Sequence, residues 1–302
     1  MVNETTQDEL NTLDFSEFKP RQSEWRRFRR VFFAKGAVLF GLIILIGLFI
    51  TAIFAPALAP YDPYEIHVGP SLASPSGAHW LGTDLLGRDT LSRLIYGSRT
   101  AIEVGFISVA VGSIIGIFLG MLAGYTGGAT YAIIMRTMDA MMCFPMLILA
   151  LVIAAVLGNG LSNVIIALSI ATIPGYARVT CGLVLSLKEN DYIMAQRSLG
   201  AGKLRIMLRH LLPNAFPPLI VLVTMQLGGL ILAEAGLSFI GIGIRPPGAA
   251  WGAMVNDGYK YLLKSPVLSF APGIAIMLVV FAFNIVGDGL RDALDPRMRG
   301  LI

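Results

Sequence analysis

Apolar residues run along this chain in long unbroken stretches rather than in the short alternations of a soluble domain. Val104 to Met135, Ala140 to Ala177 and Ser265 to Gly287 hold no Asp, Glu, Lys or Arg. A bilayer core about 30 Å thick needs ~20 apolar residues of helix at about 1.5 Å each. The pattern predicts an all-α polytopic membrane protein with six spans, at about 36–58, 102–124, 135–157, 164–185, 216–238 and 268–287. Turn chemistry separates them: Gly124 to Gly128, Gly158 to Asn163, and Pro246-Pro247-Gly248. Residues 60–100 are polar and rich in Gly, Pro and Ser. Ala57-Leu58-Ala59 has the look of a signal-peptidase site. The leader and the apolar run before it are both too long for one, so the first span is read as a retained helix.

Composition agrees with lipid as the main solvent. Hydrophobic residues make up 55% of the chain and charged residues 14%, against roughly 25% charged in soluble domains. The net charge of +4 does not point to nucleic acid, because the basic residues cluster at span ends rather than on one face. With the N-terminus inside, fifteen Lys and Arg fall in inner segments and six in outer ones. That asymmetry predicts both termini in the cytoplasm. Residues 1–35 read as a cytoplasmic tail, in which "EWRRFRR" suits a short helix lying at the membrane surface. Residues 36–290 read as the transmembrane domain, and 291–302 as a second cytoplasmic tail.

The segment Asp191 to Asn214, "DYIMAQRSLGAGKLRIMLRHLLPN", is too long and too basic for a bare connector. Tyr192, Ala195, Leu199, Leu204 and Leu208 form a partly amphipathic helical pattern, interrupted at Gly200 and Gly202 and stopped at Pro213. Ala195, Gly200 and Pro213 stand at the spacing of the "EAA" loop of ABC-importer permeases. Met194 replaces the usual Glu, and Gln196 the second Ala. "LGTDLLGRDTLSRLIYGSRTAIEVG", "MRTMDAMMCFP", "EAGLSFIGIG" and "FNIVGDGLRDALDPR" strengthen the likeness. From about residue 26 to its end, the chain resembles the C-type permeases of the dipeptide, oligopeptide and nickel importers.

That resemblance implies a type I importer fold, a second homologous permease, two cytoplasmic ATPases that bind the ATP, and an extracytoplasmic solute-binding protein. It implies the cytoplasmic membrane of a prokaryote and no catalysis or cofactor in this chain. The cargo would be a di- or oligopeptide or a glutathione-like peptide, with nickel or another small solute as the alternative. It assigns residues 191–214 to ATPase coupling, through Tyr192, Ala195, Gly200, Ala201, Leu204, His210, Pro213 and Asn214. Gly200 would let the backbone turn sharply or approach the partner closely, and Pro213 would end the helix before the fifth span.

Four charges lie in or beside apolar stretches. Arg136 and Asp139, at i,i+3, read as an internal ion pair or as a gate contacting the coupling loop. Arg178 either snorkels to the interface or pairs with a carboxylate. Glu234 is a carboxylate inside an apolar run, hence a pathway residue or one held by hydrogen bonds to backbone. It is also the one good acid for a proton-coupled carrier, the competing class. Gly112, Gly116 and Gly120 form a small-residue stripe for helix packing. "GAGK" at 200–203 lacks the P-loop pattern, and the histidines lie too far apart for a metal site.

Overall fold

The computed structural model describes residues 24–244 and 247–294. The predicted tail before residue 24, Arg245, Pro246, and the tail from 295 lie outside the described residues. Eleven helices follow in order: α1 (Glu24–Phe33), α2 (Gly36–Ile53), α3 (Ala55–Leu58), α4 (Thr90–Thr126), α5 (Gly128–Met142), α6 (Met146–Leu157), α7 (Leu161–Leu187), α8 (Asp191–Ser198), α9 (Lys203–Ile240), α10 (Trp251–Tyr259) and α11 (Val267–Leu294). Among the described residues the only β pairing is an isolated bridge between Thr83 and Asp89.

Among the described residues five helices are long and apolar enough to cross a membrane: α2, α4, α7, α9 and α11. The stretch expected as a straight span at 135–157 is instead two helices, α5 and α6, bent by 91° at Cys143–Pro145. Pro145 has no N–H to continue the ladder, and it biases Phe144 away from helical geometry. Counted as one broken span, the pair brings the total to six.

Three further boundaries differ from the sequence reading. Helix α4 begins at Thr90 rather than near 102, because Ser92, Arg93 and Ser98 are buried and the polar turn packs inside the fold. Asp89 caps it, accepting from the Ser92 N–H at 2.8 Å. Helix α9 runs through Pro213 from Lys203. Its residues Met207–Leu211 form a π-helical turn, which leaves Pro213 at the first positions of the α-segment Leu212–Ile240, where an N–H is not needed. Helix α11 continues to Leu294, so its extension beyond the predicted span takes in Arg291.

Small residues set the most extensive helix contact among the described residues, that between α4 and α7. Gly112, Gly116, Gly120 and Gly124 turn one face of α4 against α7. A methyl group on Gly120 would sit 2.3 Å from the Ala177 carbonyl, and one on Gly112 2.3 Å from Thr172 Oγ1. Around this pair, Leu230, Ile231 and Leu237 of α9 and Phe283 of α11 close the main core. Helix α2 packs at the edge, with Gly41 against the Ala282 backbone, and leaves Phe40, Ile43, Ile46 and Ile50 exposed as a lipid-type face. Helix α1 lays Phe28 and Phe32 against Val38, Leu290 and Ala293, while Arg26, Arg29 and Arg30 are exposed. Lys35 closes this corner through Asp292, whose carboxylate holds the Lys35 ammonium above its ordinary range.

At the other end of α4, residues 61–93 fold around buried charge. His79 Nδ1 lies 2.9 Å from Asp89 Oδ1, and Arg88 Nε donates to Asp84 Oδ2 at 2.6 Å. Arg93 donates to the Pro63, Pro247 and Gly248 carbonyls. Two of the six outer basic residues are therefore buried and bonded inside the fold.

Replacing Gly120 with Ala should force α4 and α7 apart and cost ~1–3 kcal/mol, as overpacking does. Thermal unfolding in detergent should show a lower midpoint for Gly120→Ala and none for Gly182→Ala, whose added methyl meets nothing within 4 Å.

Candidate functional site

The segment between α7 and α9 is built from its buried side outward. Ile193 of α8 and Ile206 and Leu211 of α9 are fully buried. They pack with Met121 of α4 and Val184 of α7 in one apolar cluster. Lys188 Nζ donates to the Gly124 carbonyl at 3.3 Å, and the Arg197 guanidinium lies 5.3 Å from the Tyr125 ring centre. The loop is therefore seated on the ends of the tightly packed α4–α7 pair.

Helix α8 ends in a Schellman cap. Ala201 N–H donates to the Gln196 carbonyl and Gly200 N–H to the Arg197 carbonyl, both at 3.0 Å, with Gly200 at φ +76°. Of the two roles expected for Gly200, the sharp turn is the one its geometry requires. Nothing lies within 4 Å of the position a side chain would take.

The outward side is apolar. Leu199 is 80% exposed and Leu204 63%, and Tyr192, Met194 and Leu208 are exposed beside them. These residues sit among Asp191, Arg197, Lys203, Arg205 and Arg209, a charge density that places them outside hydrocarbon. An apolar group this exposed to water is unfavourable by ~25 cal/mol per Å², and clustered exposure of this kind marks an interaction surface.

The residues picked out in the sequence divide into two sets. Tyr192, Ala195, Leu204 and the Gly200 cap lie on or beside the outward surface, and Ala201 is half-buried beneath it. His210 lies in the π-turn, and Pro213 and Asn214 lie further along the α9 shaft, where Asn214 Nδ2 donates to the His210 carbonyl at 2.6 Å. Pro213 lies inside α9, in the first turn of the α-segment that follows the π-turn, and is not the stop expected of it. The anchors Ile193 and Ile206 and the Tyr125–Arg197 contact were missed. Ile193 and Ile206 fall on opposite sides of the Gly200 break, so no single helical period joins them. The apolar face read from the sequence is the exposed one.

Of the charges in or beside the apolar stretches, Arg178 takes the carboxylate pairing that was one of its two expected fates, while Arg136 and Asp139 do not pair with each other. Asp139 of α5 pairs with Arg178 of α7 rather than with Arg136. Arg136 is exposed and has no ion pair among the described residues. Three residues along a helix place neighbours on one face, but α7 brings Arg178 closer. Glu234 is 2% exposed and accepts a hydrogen bond from Ser238 Oγ at 2.7 Å, a side-chain partner rather than backbone.

Comparison with known proteins adds to this geometry. Residues 116–300 match the family described as binding-protein-dependent transport system inner membrane component, and residues 23–75 match the N-terminal membrane domain of oligopeptide transport permease C. The chain is 42% identical over 287 residues to the glutathione transport system permease protein GsiD of Pectobacterium atrosepticum, covering 95% of this chain and 94% of that one. It is 40% identical over 277 residues to the dipeptide transport system permease protein DppC of Alkalihalophilus pseudofirmus, covering 92% and 91%. Among solved structures, a chain of the inward-facing MetNI methionine ABC transporter superposes with TM-score 0.56 at 21% identity, covering 68% of this chain and 97% of that chain. That likeness establishes the type I importer permease fold.

The cap and the anchor can be separated by substitution. Gly200→Asn, which tolerates positive φ, should leave the loop intact, whereas Gly200→Val should cost ~1–2 kcal/mol for its left-handed backbone. Ile193→Ala should cost ~2–5 kcal/mol of local packing. Hydrogen exchange across 191–206 should rise for Gly200→Val and Ile193→Ala and stay at the wild-type level for Gly200→Asn.

Proposed function

The chain belongs to the family of inner-membrane components of binding-protein-dependent transport systems, and from that premise we propose how it works as one half of a solute pathway. It is a multi-pass permease subunit of an ATP-binding-cassette importer of the peptide group. The pathway is completed by a second homologous permease. Two ATPase subunits bind and hydrolyse the ATP, and a solute-binding protein delivers the cargo. This chain contributes no catalytic residue and no cofactor.

The observation that carries this reading is the exposed leucine surface at 199–208, held on the rigid α4–α7 pair by Ile193 and Ile206. It suits a groove on an ATPase subunit. Because the loop is seated on both helices, closure of the ATPase pair would move their ends together instead of bending a loose connector. The alternation between inward- and outward-facing states follows from that rigid coupling. Both termini and the 191–206 loop lie on the cytoplasmic side in this reading. The inner excess of basic residues supports it, as does the burial of Arg88 and Arg93 on the opposite side, which removes two of the charges that weighed against it.

The cargo is a di- or oligopeptide or a glutathione-like peptide, since the relatives named above are glutathione and dipeptide permeases. Nickel or another small solute is the alternative within the group. A proton-coupled carrier draws less support, because Glu234 is closed off by Ser238 rather than chained to a second acid.

Leu199→Asp combined with Leu204→Asp should leave membrane insertion and folding unchanged, since both side chains face outward. It should weaken capture of the ATPase subunits in detergent more than tenfold and abolish uptake. Retention of both would reduce the loop to a connector. Orientation is checked by single cysteines in a background lacking Cys143 and Cys181. A membrane-impermeant reagent added outside should label a cysteine at Ser76 or Lys264 and spare one at Lys203. Glu234→Gln should keep the fold and ATPase capture, and a selective fall in peptide uptake would place the carboxylate on the pathway.

A further inference from the structure

The 37 residues of α4 separate two functional ends by about 50 Å at ~1.5 Å per residue. Tyr125 touches the coupling loop at one end, and Thr90 opens the helix at the other. Beside Thr90 lies a cavity of about 200 Å³ between the 84–93 segment, α10 and the start of α11.

Its wall is charged and incompletely bonded. Asp84 is saturated: Oδ1 accepts from the Leu86 and Arg88 N–H groups at 2.9 and 3.0 Å, and Oδ2 takes Arg88 Nε at 2.6 Å with Arg93 Nε 3.7 Å away. Arg93 spends its terminal nitrogens on three backbone carbonyls. The Arg88 side chain is only 5% exposed, and beyond its Nε it makes no hydrogen bond among the described residues. Thr90 Oγ1, on the same wall, is buried without a partner. Three cations, Arg88, Arg93 and Lys260, line the cavity against two carboxylates, Asp84 and Asp257. The Arg88 Nη groups are open to solvent in the cavity rather than sealed without a partner, and the planar guanidinium fork matches a carboxylate.

The other wall is apolar. Met254 and Leu268 are buried beneath the charged groups, with Leu85 and Leu86 half-exposed beside them. An apolar pocket with a few convergent polar donors is the form of a small-molecule site. An acidic side chain from a docked protein would reach Arg88 without filling the cavity of about 200 Å³ beside Met254 and Leu268.

We propose that this cavity is an entry site for the C-terminal end of a short peptide, its carboxylate paired with the Nη groups of Arg88 and its last side chain set against Met254 and Leu268. The assignment rests on the peptide reading of the cargo. It places a recognition step at the membrane face opposite the coupling loop, before the solute enters the bundle.

The test uses the full chain in phosphatidylcholine nanodiscs, with saturation-transfer NMR to alanyl-leucine and to its C-terminal amide. Alanyl-leucine should receive transfer at its leucine methyls, and the amide at least fivefold less. Arg88→Gln should remove the difference between the two peptides. Because Arg88 also bonds Asp84, Leu86→Trp serves as the second variant: it fills the cavity from a half-exposed position and leaves the charged pair in place. It should unfold at the wild-type temperature and abolish transfer. Equal transfer to peptide and amide, no transfer to either, or unchanged transfer in Leu86→Trp would overturn the proposal. So would variants that weaken only capture of a solute-binding protein, which would make the cavity a protein contact. None of these results touches ATPase capture, so the coupling reading stands or falls separately.

Discussion

The contact between α4 and α7 is the constraint on which the rest of this structure depends. Lipid supplies no hydrophobic drive between helices, so association relies on close van der Waals packing, and small residues permit it. Gly112, Gly116, Gly120 and Gly124 bring the α4 backbone against Thr172, Tyr176, Ala177 and Val184 at distances that exclude even a methyl group. The two helices then behave as one strut. Met121 and Val184, one from each, seat Ile193 and Ile206, and Lys188 ties the end of α7 to the Gly124 carbonyl. A looser pair would leave the exposed leucines on a wandering loop, and force applied there would be lost in bending.

Polar groups in the bundle are managed at each position by a local device. Ser169 and Thr172 return their hydroxyls to carbonyls one turn back, on Ile165 and Leu168. Glu234 takes the Ser238 hydroxyl, which also receives the Ile244 N–H at 3.4 Å and so fastens the turn after α9. Trp251 donates to the Leu94 carbonyl, and Thr100 to the Ala249 carbonyl, locking α10 onto α4. On α7 the hydroxyls of Tyr176 and Thr180, like that of Thr90 on α4, are buried without partners among the described residues. Tyr176 and Thr180 lie along the Gly116–Gly120 contact, where packing leaves little room for a partner.

The two ends of the strut also differ in chemistry. One end presents apolar side chains on a basic, rigid loop, which suits protein docking. The other encloses buried arginines beneath a folded polar segment, which suits recognition of an anion. Covalent continuity of α4 joins them, so a change in how α4 sits against α7 is felt at both ends.

Fold class and family were legible in the sequence, because charge-free runs and the Ala195–Gly200–Pro213 spacing are local signals. The Gly112–Gly116–Gly120 stripe was legible for the same reason, its period being that of a single helix. The right-angle break at Pro145 was not, since an apolar run reads alike whether the chain bends or continues. Pro213 was read as a stop because a proline signal ignores the π-turn that accommodates it. The start of α4 at Thr90 depended on Arg93 finding carbonyls at Pro63, Pro247 and Gly248, some 30 and 150 residues away in sequence. Asp139 chose Arg178 over its own helix neighbour for the same reason. The pairings of these charges, the inward turn of Ile193 and Ile206, and the enclosure of Arg88 come from segments distant in the chain meeting in space, and only the tertiary structure decided them.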